Sequence, residues 1–338
     1  MWQPKDFQQK VIDYYRQHGR KHLPWQGTKD PYRIWLSEIM LQQTQVTTVI
    51  PYYEKFLQQF PTIVDLAQAS EDQVMHLWSG LGYYSRARNL HKAARQVADE
   101  FDGQFPQSQS EIETLPGVGR STAGAIAAFA FDQPSAILDG NVKRVLARCY
   151  GIEGWAGKAS VLKALWQRAE DNTPGEHTAQ YNQAMMDLGA VVCTRSKPKC
   201  DSCPLSAKCY ALGHDKIEEL PGKKPKKAHP KRSVYWLVCL KNNQVILHKR
   251  PPSGIWGGLW CFPEIEQTQS EPEHQQKLDS FVHKFSHYDL EVQPLLMKNI
   301  ADTGIMEPNQ IGTFALNEIA EIGLPTPVSK LLQTLAEN

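Results

Sequence analysis

Apolar residues recur at helical spacing through the first two hundred positions of this chain: Phe7, Val11 and Tyr14, then Leu36 and Met40, then Val46 and Ile50. Residues three or four apart share one face of an α-helix, so each set predicts a helix with one buried side. "LHKAARQVADEF" stops before Gly103 and "TAGAIAAFAF" stops before "DQP", both ordinary helix exits. "HTAQYNQAMMDLGAVVC" predicts a further helix leading directly into a group of cysteines. Beyond residue 232 the character changes. "SVYWLVCL", "QVILHKR" and "LWCFPEIE" are β-rich runs, and Asn242–Asn243 predicts a turn joining the first two. Between the two regimes lies "GHDKIEELPGKKPKKAHPKR", with three prolines and six Lys or Arg in its second half. It reads as an extended linker, a solvated spacer that also suits phosphate contact. The division predicted is a helical domain over 1–212, a linker over 213–232 and an α+β domain over 233–338.

Composition narrows the partners. A chain of 338 residues can bury two cores, and its net charge of +1 sets up no global basic field, so charge must be read locally. The longest apolar run, "AGAIAAFAF" at 123–131, is about half a membrane span. The opening residues show no apolar signal region, so the expectation is a soluble cytoplasmic protein with no membrane partner. Four of the seven cysteines crowd into 193–209, which argues against a disulfide framework in that compartment.

Three stretches carry chemistry. In "LPGVGRSTAG" (115–124), Gly117 and Gly119 flank Val118 and let the backbone turn tightly into a helix start. The first N–H groups of a helix lack intrahelical partners and suit an anion such as phosphate. The second stretch is C-x6-C-x2-C-x5-C, formed by Cys193, Cys200, Cys203 and Cys209. Four soft thiolates suit zinc or an iron–sulfur centre, and the uneven spacing with proline after the third favours a [4Fe–4S] cube. The bland alternative is four buried or disulfide-bonded cysteines, and Cys149, Cys239 and Cys261 read as core residues. The enclosed "TRSKPK" presents Arg195, Lys197 and Lys199 on a loop tied at both ends, a good DNA contact. The third is a pair of carboxylates. Glu38 sits among Trp35, Leu36, Ile39, Met40 and Leu41, where desolvation would raise its pKa and keep a proton for general-acid work. Asp139, between "AIL" and "GNVKRV", falls at a helix start, whose N–H groups would favour its ionised form. An exposed Glu and a plain N-cap Asp are the corresponding alternatives.

The hairpin, "ILDGNVKRV" (137–145) and the cysteine spacing together resemble the helix–hairpin–helix DNA glycosylases. "LPWQGTKDPYRIWLSEIMLQQTQV" (23–46), "WSGLGYYSRARNL" (78–90) and the C-terminal region are similar to the MutY-type adenine DNA glycosylases. The resemblance implies a mostly α helix–hairpin–helix glycosylase domain with an iron–sulfur cluster, plus an α+β Nudix-like C-terminal domain. It implies removal of adenine mispaired with guanine or 8-oxoguanine, one [4Fe–4S] cluster per chain, and double-stranded DNA carrying A:8-oxoG or A:G as partner. A monomer acting on nucleoid DNA is the matching expectation. Residue by residue, it implies Glu38 as the acid and Asp139 as the second carboxylate. Asn141 would organise that site, Lys143 would touch the backbone, and Ser121 stands where lyase relatives carry lysine. Gln43 and Tyr83 would wedge into the base stack, with Thr44 and Leu81 lining the same region. Trp25 and Gln183 would line the adenine pocket, although some relatives carry an acid at the latter position. "SGIWGGLWCFPE" (253–264) resembles the opening of a Nudix fold, but "EIEQTQSEPEHQQKL" lacks the arrangement of a Nudix metal helix. That implies a recogniser, with Phe285, Ser286 and His287 forming the 8-oxoguanine loop. The competing readings are an endonuclease III-like glycosylase/lyase, a nucleotide-pool hydrolase, and a DNA-binding or electron-carrying protein without catalysis.

Overall fold

The computed structural model describes residues 2–225, 228–267, 271–285, 287–297, 310–316, 319 and 322–337. Contacts divide the chain into two compact units, Met1–Val64 with Lys92–Lys226, and Asp65–His91 with Lys227–Asn338. The grouping departs from the linear division 1–212, 213–232 and 233–338 at one place: residues 65–91 cluster with the C-terminal part. Helical periodicity shows that a segment has a buried face but not which surface covers it.

The helices are α1 (Pro4–His18), α2 (Pro31–Leu41), α3 (Val46–Gln59), α4 (Ile63–Gln68), α5 (Glu71–Leu77), α6 (Ser85–Glu100), α7 (Gln109–Ile112), α8 (Arg120–Phe131), α9 (Gly140–Tyr150), α10 (Ala159–Asp171), α11 (Thr178–Asp187), α12 (Tyr210–Gly213) and α13 (Thr326–Glu337). In the first unit, the apolar faces of α1, α9, α10 and α11 share one core, with Phe7, Val11, Leu146, Leu165 and Met185 at its centre. Helix α8 is made of small residues and is buried on nearly every side. Its Gly124 lets the extended strand before α9 pass close by: a Cβ there would lie 2.4 Å from the Ala136 carbonyl oxygen. Helix α8 ends at Asp132, which adopts left-handed dihedrals ahead of "QP". The helix expected over "HTAQYNQAMMDLGAVVC" is α only to Asp187 and widens to a π-turn over Leu188–Val192. The cause is close packing, since a Cβ on Gly189 would sit 2.5 Å from that of Asn141.

In the second unit, β1 (Lys231–Lys241) turns through Asn242 and Asn243, both at positive φ, into antiparallel β2 (Gln244–Lys249). The remaining strands are β3 (Trp260–Cys261), β4 (Glu264–Glu266), β5 (Gln276–Lys277), β6 (Phe281–Lys284), β7 (Asp289–Met297) and β8 (Ile311–Ala315). β7 runs parallel to β1 from Lys231–Asp289 to Cys239–Met297, a pairing that needs a long crossover and is invisible to local sequence. Segment 65–91 is tied in by Lys249 to Asp72 at 2.7 Å and by Ser79 Oγ donating to the Leu324 carbonyl at 2.9 Å.

Candidate active site

Helix α2 starts cleanly because Asp30 caps it, accepting from the Tyr32 N–H at 2.9 Å, with Pro31 in the first turn. The helix then buries Tyr32, Ile34, Trp35, Leu36, Ile39 and Met40. That burial anchors Glu38 at the wall of a cleft of about 300 Å³, shared with Trp25, Phe129 and Gln183. Burial first, and the negative charge of Asp139 second, push the Glu38 carboxyl up to about 7.

Asp139 is the N-cap of α9 and accepts from the Val142 N–H at 2.8 Å and from Asn141 Nδ2 at 3.2 Å. The sequence led us to expect the helix start to stabilise its ionised form, opposite to Glu38. The structure corrects that: burial outweighs the cap, and Asp139 is raised above the ordinary aspartate value. Its N–H donors and Arg144 oppose the shift. The donors around Asp139 favour its charged form, and the Asp139 charge in turn favours the protonated form of Glu38. Ser121, in the first turn of α8, accepts from the Leu138 N–H at 2.9 Å and so anchors the residue just before Asp139.

Arg144 was missed at the sequence level. Its Nη2 donates to Asn141 Oδ1 at 2.9 Å and to the Gly189 carbonyl at 2.6 Å, while Nε donates to the Cys193 carbonyl at 2.6 Å. A continuous set of hydrogen bonds thus joins Asp139, Asn141, Arg144 and the first cysteine. The available signal was the i, i+3 spacing of Asn141 and Arg144 on one helix face. The Lys143 N–H donates to the Asp139 carbonyl at 2.9 Å, while its side chain makes no hydrogen bond or ion pair among the described residues.

The glycine hairpin is built as expected at Gly117, whose φ is +78°. Gly119 caps α8 and has open space where a Cβ would be, and the first intrahelical bond runs from Ala123 N to Gly119 O at 2.9 Å. The N–H groups of the first turn before it remain for an anion. Val118 differs: its side chain is buried and its N–H donates to the Leu115 carbonyl at 3.0 Å. It anchors the hairpin from within.

Gln43 and Tyr83 both hold positive φ, 59° and 48°, a conformation that non-glycine residues keep only under constraint. Gln43 is exposed in the first unit, followed by half-buried Thr44. In the second unit Tyr83 is 47% exposed, unusual for a tyrosine, while Leu81 is buried beneath the same loop. The Trp78 indole donates to the Gly82 carbonyl at 3.0 Å, and Arg86 stacks on Tyr83 at 5.4 Å. Tyr83 shares a cleft of about 450 Å³ with Trp256, Phe285 and His287. Phe285 stacks on Tyr288 at 4.8 Å, and its N–H donates to the Tyr288 carbonyl at 2.9 Å. Ser286 lies outside the described residues.

Cys193, Cys200, Cys203 and Cys209 line one apolar cavity together with Val145, Leu205 and Ile217. Among the described residues, no three His, Cys, Asp or Glu side chains converge on a point that could hold a single metal ion. Four soft thiols lining one space fit a zinc or iron–sulfur centre. Arg148, buried, donates to Cys193 Sγ at 3.4 Å and to the Thr194 carbonyl at 2.7 Å, fixing the base of the exposed Arg195–Lys199 loop. No helix among the described residues is long and apolar enough to cross a membrane.

A helical unit with an anion-binding hairpin, paired carboxylates and a four-cysteine loop defines a base-excision DNA glycosylase, followed by a Nudix-like domain. The model of the HhH-GPD superfamily of base excision DNA repair proteins matches residues 36–171, and that of the NUDIX domain matches 234–334. The adenine DNA glycosylase of Buchnera aphidicola subsp. Baizongia pistaciae is 43% identical over 337 residues, covering 96% of this chain and 95% of the relative. That of Homo sapiens is 35% identical over 360 residues, covering 85% and 66%. Among solved structures, a thermostable thymine-DNA glycosylase aligns at TM-score 0.56 and 30% identity over 62% of this chain and 97% of its own. An endonuclease III–DNA complex aligns at TM-score 0.53 and 23% identity over 64% and 99%, a likeness of fold alone. The chain belongs to the adenine DNA glycosylase family.

Proposed function

We propose that the enzyme removes adenine mispaired with 8-oxoguanine or guanine in double-stranded DNA and leaves an intact abasic strand. The observation that carries this reading is Glu38, protonated up to about neutral pH and facing a base-sized cleft beside Asp139. Adenine flipped from the duplex enters that cleft against Trp25 and Gln183. Glu38 gives its proton to N7, the C1′–N9 bond breaks, and the bonding pair leaves with the base. The Asp139 carboxylate, oriented by Asn141, faces the positive charge that develops on the sugar, and water completes the hydrolysis. Ser121 offers no amine to attack C1′, which supports hydrolysis over strand cleavage.

Gln43, Thr44, Leu81 and Tyr83 hold the duplex open, and the N–H groups behind Gly117 and Gly119, with Lys143, grip the backbone. Residues 233–338 act as a recogniser through Phe285, Ser286 and His287, of which Phe285 and His287 line the cleft that also contains Tyr83. Cys193, Cys200, Cys203 and Cys209 would hold one [4Fe–4S] cluster, which supplies four metal–thiolate bonds that fix the basic loop. The enzyme works as a monomer on DNA in the cytoplasm. The test is incubation with duplexes carrying A opposite 8-oxoG, G or T, with and without later alkali. Breaks only at mispaired A, and only after alkali, are expected; breaks before alkali, or equal breaks at A:T, would refute the proposal.

A further inference from the structure

Asp187, at the end of α11, is 1% exposed, and a buried carboxylate needs donors on every side. Arg20 supplies three: its backbone N–H to Oδ2 at 2.8 Å, Nε to Oδ1 at 2.8 Å, and Nη2 at 2.7 Å from Oδ1. The remaining donor is Gln183 Nε2, at 2.9 Å from Oδ1. Gln183 lies one helical turn before Asp187 and lines the cleft with Glu38. A carboxylate accepts only, so the Gln183 carboxamide is pinned with its NH2 toward Asp187. A half-turn would set its oxygen against a buried negative charge. Oε1, with no donor among the described residues, is left for the cleft.

The cleft thus presents one fixed acceptor, Gln183 Oε1. Adenine offers a donor at N6 and acceptors on its ring nitrogens; a 6-oxopurine places an acceptor where adenine places N6.

We propose that the buried Arg20–Asp187 pair is a specificity device: by orienting Gln183, it makes the cleft accept a 6-aminopurine and refuse a 6-oxopurine. Asp187 is a positioning residue that acts through Gln183. The inference rests on the glycosylase reading above and goes beyond it, since that reading needs only that a base enters the cleft.

The test compares single-turnover excision of adenine and of hypoxanthine, each opposite 8-oxoguanine. Asp187→Asn lets the Gln183 carboxamide turn, and the adenine-to-hypoxanthine rate ratio is expected to fall about tenfold, the weight of one net hydrogen bond. Gln183→Leu should lower the ratio similarly, and adding Asp187→Asn to it should lower it no further. Equal loss on both bases in Asp187→Asn is what a merely structural role would produce, and it overturns the proposal. A second readout uses the unaltered protein with glutamine labelled by 15N: the Gln183 carboxamide protons should exchange more slowly than those of exposed Gln43. Fast exchange there overturns the proposal whatever the enzyme cuts. Failure to excise any adenine, with protected Gln183 protons, overturns the glycosylase reading and leaves the orientation of the carboxamide established.

Discussion

Replacing Glu38 with glutamine should inactivate the enzyme and, above neutral pH, make it more stable. The carboxyl titrates at about 7 in the fold against 4.5 for an ordinary glutamate, because burial and the Asp139 charge disfavour ionisation. The folded state therefore binds this proton more tightly than the unfolded chain does. Stability from the group is complete below pH 4.5, declines as pH rises, and is lost once pH passes 7. Integrated over that window, ionising Glu38 costs about 1 kcal/mol at pH 5.5 and about 3 kcal/mol at pH 8.5. Glutamine mimics the protonated acid in shape and carries no such cost. Denaturation midpoints of wild type and Glu38→Gln at the two pH values should diverge by about 2 kcal/mol toward alkaline pH. Single-turnover excision by wild type should fall about tenfold per pH unit above 7, the proton donor being titrated away. A stability gap independent of pH, or a wild-type rate flat to pH 9, would refute the assignment of the proton to Glu38.

Arg144→Leu should cut the three charge-assisted hydrogen bonds to Asn141, Gly189 and Cys193 and slow excision by about 10²-fold. Duplex affinity should hold, and iron per chain, measured after gel filtration, should drop below the four expected of wild type. Phe285→Ala should leave excision from A:G unchanged and erase much of the advantage of A:8-oxoG, read as a ratio of single-turnover rates. Ser121→Lys should bring strand cleavage without alkali and an adduct trappable by borohydride. It should also lower stability by about 1–2 kcal/mol, because the Leu138 N–H loses its acceptor.

Much of the fold was legible locally. The period of Phe7 and Val11 marked α1, the small residues of 123–131 marked a central helix, and Asn242–Asn243 marked a hairpin. Glu38 was legible as a candidate acid because its neighbours in sequence are also its neighbours in space, on a helix whose apolar faces are buried. Asp139 was legible as a cap but not as a buried one, and burial reversed the direction of its pKa. Val118 was legible as part of the hairpin, but not that its side chain turns inward.

What the sequence determined by itself is what depends on residues close along the chain: helix periods and caps, the glycine that permits a positive φ at 117, the spacing of four thiols. What tertiary structure decided is which surfaces meet. It joined 65–91 to the C-terminal unit, paired β1 with β7, brought Arg20 to Asp187 across 167 positions, and set Arg144 between Asn141 and a cysteine. The division has one physical cause. Dihedral preference and capping act over a few residues, whereas desolvation and charge pairing depend on whatever the folded chain places within a few ångströms.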